Sequence, residues 1–117
     1  QMANIFGLYP TGAPEAVTSA AVSADLSLDS FVSVVTTSTA TDAVKIPAKN
    51  SSEVLAKPGQ LKLVKYIDGG SGHDLVVTLG TLDSEASPAA VTMDAEGDNA
   101  LFCFDGTAWV VIENNIA

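Results

Sequence analysis

NALFCFDGTAWVVIE, residues 99–113, is two short apolar runs joined at Asp105-Gly106. An Asp-Gly pair between such runs predicts a β-hairpin with a type I′ turn, because both central residues must take positive φ. Leu101, Phe102, Cys103 and Phe104 put apolar side chains on both faces of the first strand. Trp109, Val110, Val111 and Ile112 do the same on the second. A strand apolar on both faces is buried on both, so this hairpin is not expected at an exposed edge. It lies either centrally in a sandwich or with its second face covered by another subunit.

Working upstream, the same alternation of apolar runs and turn signals continues back to residue 42. AVKIP is a short strand stopped by Pro47, and KNSSE is a loop. KPGQ is a turn, with Pro58 pre-setting φ and Gly59 following. QLKLVKYI, LVVTLG and AAVTMD are strands separated by the loops DGGSGHD and TLDSEASP. The expected fold is all-β: a small β-sandwich or barrel of antiparallel strands. The first forty residues differ, being rich in Ala, Ser, Thr and Val. They are expected as an extended N-terminal arm, with a short helical turn conceivable between Glu15 and Ala24 and FVSVVTTST as a first strand. The chain thus divides into an arm, 1–41, and a compact β domain, 42–117. No repeat of fixed period and no heptad pattern is found.

At 117 residues the chain has room for one core, and 47% hydrophobic residues exclude a disordered chain. No apolar run nears the roughly 20 residues of a membrane span. No basic segment followed by an apolar one opens the chain, so no signal peptide is expected. Gln1 before Met2 is set aside as a processing remnant. The net charge is −9 and arginine is absent. Both facts argue against nucleic acid and against anionic membrane surfaces as partners. All five lysines, Lys45, Lys49, Lys57, Lys62 and Lys65, fall in one central band. They are either solvated strand positions or a contact stripe for an acidic neighbour.

GGSGHDLVV, residues 69–77, matches the calcium-binding nonapeptide of parallel β-helices. That motif holds ions between stacked copies, and only one copy is present here. The expectation is therefore a glycine-rich hairpin loop. His73 is the single histidine and Cys103 the single cysteine, so a His/Cys metal site lacks ligands. Cys103, inside ALFCF, is expected buried and inert. No nucleophile elbow or phosphate-binding loop occurs. Asp83, Glu85, Asp94, Glu96 and Asp98 cluster in turn segments and are expected to be solvated there. Neither an enzyme nor a cofactor is expected.

The stretch VTMDAEGDNALFCFDGTAWVVIENN resembles a C-terminal module of tailed-bacteriophage structural proteins. The matching residues are Asp94, Gly97, Asp98, Phe102, Phe104, Gly106, Trp109, Val111, Asn114 and Asn115. Upstream, AVKIPAKN and PGQLKLVKYIDGG resemble the opening of the same module, so the resemblance spans residues 42–117. It implies a virion protein on the outer capsid surface: a decoration, or cement, protein that binds the major capsid protein as a homotrimer and stabilises the shell. On that resemblance Phe102, Phe104, Trp109 and Val111 belong to the core or the oligomer seam. The arm and the lysine band would contact the capsid or a neighbouring subunit. The alternative is a tail- or head-fibre domain for host attachment, which would need an exposed aromatic among Tyr9, Tyr66 and Trp109.

Overall fold

In a computed structural model, residues 12–50 and 53–116 are described. They form nine strands and, among the described residues, no helix. The strands are β1 (Glu15–Thr18), β2 (Ala24–Asp25), β3 (Val32–Thr36), β4 (Thr41–Ile46), β5 (Leu61–Ile67), β6 (Asp74–Leu79), β7 (Ala89–Met93), β8 (Asn99–Phe104) and β9 (Trp109–Asn115). Two sheets result, ordered β1-β3-β5-β8-β9 and β2-β4-β6-β7. The all-β expectation holds as two open sheets around one core, not a closed barrel.

The antiparallel expectation needs correction, because both sheets are mixed. From β1 to β6 the chain alternates between the sheets, and each strand pairs in parallel with the one before last. This is a winding coil of three turns, closed at its C-terminal end by the antiparallel pairs β6-β7, β5-β8 and β8-β9. Glu15 pairs with Ser33, eighteen positions on, and Ser33 with Val64, thirty-one positions on. Unequal turns of the coil leave no fixed period for the sequence to show.

Residues 12–41, expected within an extended arm, are instead built into both sheets. β1 lies beside β3, and β2 beside β4. Alternating residues explain this. In β1, Glu15 and Val17 are half-buried while Ala16 and Thr18 are exposed, which suits a pleated strand and not a helix. Residues 1–11 of the expected arm lie outside the described residues.

Period-two burial sets the core. Val64 and Tyr66 of β5, Phe102 and Phe104 of β8, Val44 and Ile46 of β4, and Leu75 and Val77 of β6 all face inward and are buried. Trp109 packs obliquely on Phe104, with ring centroids 5.5 Å apart. Its indole Nε1 donates to Pro47 O at 2.9 Å, joining β9 of one sheet to the chain just beyond β4 of the other. The hairpin is not closed by a type I′ turn. Four residues, Asp105–Ala108, separate β8 from β9, and only Gly106 takes positive φ, at 105°. The Asp105 carboxylate accepts from the backbone N–H groups of Thr107 and Ala108, each at 2.8 Å, and these bonds replace the geometry an Asn-Gly-type turn would give. They hold its carboxyl below the usual range.

Candidate interaction surface

Each sheet has one outer face, and registers define what it carries. On the five-stranded sheet, Val32 of β3 lies beside Leu63 of β5, which lies beside Leu101 of β8. One step along, Leu61 lies beside Cys103, which lies beside Val110 of β9. These two adjacent rows form a half-buried to exposed apolar patch. At the other end of the same face the rows are mixed: Ala16, Val34, Lys65, Asn99 and Asn115, then Thr18, Thr36 and Ile67. Cys103 is thus half-buried in the outer patch and not in the core.

With β1 at the other side, β9 is one of the two edge strands of that sheet. Expected as a strand covered on both faces, it is covered only at Trp109. Val110 is 41% exposed, Val111 39% and Ile112 55%. The pairing of β8 and β9 shifts between Leu101 and Phe102, so Ile112 has no partner residue across the ladder. Among the described residues, the remaining exposed large apolar ones, Val22, Val54, Leu55 and Leu82, lie outside the strands. Of the four residues assigned to core or seam, Phe102, Phe104 and Trp109 are core, and Val111 is on the open edge.

The lysines do not form one stripe. Lys45 points outward from the four-stranded sheet and Lys65 from the five-stranded sheet, on opposite sides of the molecule. Lys49 and Lys57 are exposed in the segment between β4 and β5, and Lys49 pairs with Glu53 at 3.1 Å. Lys62 is a contact for no neighbour: its side chain is 0% exposed. Its Nζ donates to Ser27 O at 2.6 Å and Ser30 O at 2.8 Å, with Glu15 Oε1 4.0 Å away. Burial lowers its pKa to about 8, against the opposing charges of Glu15 and Asp29. Sequence parity carried this signal. Lys62 shares its strand face with Val64 and Tyr66, the core side.

A second buried charge is Asp42, which alternates with Val44 and Ile46 on the core side of β4. It accepts from Ser19 Oγ at 2.7 Å, Ser38 N at 2.7 Å and Thr39 Oγ1. Burial opposes its ionisation, but these donors prevail and bring its pKa down to about 2. Asp42 therefore ties the β1–β2 connection to the β3–β4 connection. Asp98, expected to be solvated, is buried and accepts from Asp94 N and Ala95 N, each at 3.1 Å. Asp83, Glu85, Asp94 and Glu96 are exposed.

DGGSGHD is not a hairpin loop, because β5 and β6 belong to different sheets. It is an arch between them, packed on the β3–β4 connection. Gly69 has no room for a side chain: a Cβ there would lie 1.7 Å from Thr37 O. Asp68 accepts from Gly70 N at 3.0 Å and Gly72 N at 3.1 Å, and these bonds, above all that from Gly70, hold its carboxyl below the usual range. His73 Nδ1 lies 3.1 Å from Thr37 Oγ1, and the Tyr66 hydroxyl donates to His73 O. The loop's polar groups are spent on closing the arch. Among the described residues no cluster of three or more His, Cys, Asp or Glu side chains is placed to hold a metal ion.

Tyr66 and Trp109 are 0% and 2% exposed, so neither offers a ring to a sugar, and Tyr9 lies outside the described residues. Comparison with family models, with curated proteins and with solved structures finds no match.

Proposed function

We propose that this chain is a capsid decoration protein of a tailed bacteriophage, binding the outer shell as a homotrimer and stabilising it. The observation that carries the proposal is the open β9 edge, where Val110, Val111 and Ile112 stand exposed on a strand with free backbone groups. An apolar free edge is a template for pairing with another chain, and repeated units use such edges to assemble. Around it the surface is acidic, with only four exposed lysines, Lys45, Lys49, Lys57 and Lys65, available to an acidic shell. Net negative charge keeps decorated particles apart in solution. Several weak contacts from one trimer to neighbouring capsomers would add up to firm attachment. The strands are short and share one core, which suits a cement role better than a fibre.

The test is co-sedimentation with expanded, undecorated shells of the major capsid protein from the same genome. Saturable binding, with shells that then resist heat or low salt better than bare ones, supports the proposal. No binding to such shells overturns it.

A further inference from the structure

The inner faces are buried through the middle of both sheets and come open where β7 and β9 lie. The five-stranded sheet has one strand more than its partner. As the chain winds, β3, β5 and β8 take β4, β6 and β7 for opposite numbers, and β9 is left with none. Only the start of β9 is covered: the Trp109 indole reaches Pro47 O, and Trp109 N donates to Gly80 O at 3.0 Å. Beyond it, Val111 and Asn114 share the inner face with Phe102 and Ala100, their partners in β8, yet both are exposed. On the other sheet, Ala89 and Val91 of β7 share the inner face with Leu79 and Val77 of β6. Ala89 is exposed and Val91 only half-buried. Val91 and Ile116 pack on the rim of the core. Among the described residues β7 pairs with β6 alone, so its other edge has no strand beside it. The result is a notch that lacks one strand: beside β7, beneath β9.

Charge says what kind of strand fits. Lysine and arginine are absent after Lys65. Asp83 and Glu85 stand before β7, Asp94 and Glu96 after it and Glu113 on β9, all exposed. A second copy of this chain does not match these acids. Its exposed strand lysines, Lys45 and Lys65, lie on β4 and β5, which are paired on both sides, and its edge strands β1, β2, β7 and β9 contain no lysine.

We infer that the notch receives an extended segment of another protein, one in which apolar residues alternate with Lys or Arg, as a fifth strand beside β7. The backbone of the segment pairs with β7, and strand alternation sends every second side chain inward toward Val91 and Val111. The basic side chains between them face outward, among the flanking acids. The backbone edge of β9 is not used, so this inference does not rest on the capsid or trimer reading.

The probe is a short fluorescent peptide alternating valine and lysine, added to the native full chain over a range of chain concentrations and followed by anisotropy. A peptide alternating valine and glutamate is the control. Val111→Lys changes a wall of the notch at a residue 39% exposed, where the fold tolerates a charge. Ala16→Lys makes the same change of charge on β1, at the far edge of the five-stranded sheet. The expected result is saturable binding of the valine–lysine peptide alone. Affinity falls by about tenfold or more in Val111→Lys and by less than about twofold in Ala16→Lys. Hydrogen exchange across Ala89–Met93 slows when the peptide is bound. Absence of binding, or of that slowing, overturns the inference. Equal losses in the two variants also overturn it, since net charge alone would then attract the peptide. So does binding that emerges only on dilution, since a second copy would then hold the notch.

Discussion

The two outer faces of this molecule are made by the same winding chain and yet differ in kind. On the five-stranded sheet two rows read Val32-Leu63-Leu101, ending at Glu113 on the β9 edge, and Leu61-Cys103-Val110. On the four-stranded sheet they read Thr41-Asp74, Ala43-Val76-Thr92 and Asp25-Lys45-Thr78-Ala90. The inner faces, in contrast, are alike and share one core. Alternation alone makes a sheet amphipathic. Departure from alternation on one sheet and not the other marks where the chain expects company.

The comparison can be broken from the inside first. Because both inner faces feed one core, truncating either should cost alike. Trp109→Ala on the five-stranded sheet and Leu75→Ala on the four-stranded sheet are each expected to lose about 3–5 kcal/mol in urea unfolding, a large part of a domain's stability. A negligible loss at one of them would mean that the sheets do not share a core.

The outer faces should then separate. Leu63→Asp, in the middle of the apolar rows, is expected to cost about 2 kcal/mol, because a half-buried position packed among apolar neighbours must take up a charge. Val76→Asp, at the middle of the opposite face, is expected to cost about 0.5 kcal/mol. Similar losses in the two variants would erase the asymmetry.

The buried charges sharpen the comparison by pH, since each sheet holds one. Asp42, on the four-stranded sheet, has a pKa of about 2 against 3.8 when unfolded. Its contribution is complete above 3.8 and is lost as pH falls through 2. Asp42→Asn is expected to flatten the acid limb of stability against pH. Lys62, on the five-stranded sheet, is lowered to about 8 from 10.5. Below 8 the fold carries a buried ammonium. Between 8 and 10.5 the unfolded chain binds more protons than the fold, so stability rises with pH. Lys62→Met is expected to abolish that rise, read as urea midpoints between pH 7.5 and 10. The smallest effect belongs to neither face: Glu53→Ala breaks the exposed pair with Lys49 and should change stability by at most about 0.5 kcal/mol.

Much of this was legible in the sequence, and the limits have physical causes. β4 to β9 announce themselves through β-branched and aromatic runs between turn residues, and the antiparallel pairing of β8 with β9 follows from their short connection, whereas that of β5 with β8 does not. The parallel coil does not announce itself. Its ladders join residues eighteen to thirty-three positions apart through connections of unequal length, so partners such as Ala16 and Val34, or Val44 and Val77, share no repeat. GGSGHDLVV matched a β-helix motif, and it does enter a strand stacked in parallel on its predecessor, but its Asp68 is turned to the arch's own N–H groups. Lys62 and Asp42 were hidden by residue type, because a charge is read as surface before its strand parity is consulted. The apolar surplus of residues 99–113 was visible from the start. What the sequence left open was that β8 would be central and β9 an edge, a matter of sheet order.

The most direct test is the native mass of the full chain by light scattering, beside that of Ile112→Lys, with circular dichroism confirming that both are folded. If the β9 edge is an assembly contact, the full chain has the mass of three copies and the variant the mass of one. Equal masses in the two chains would contradict it.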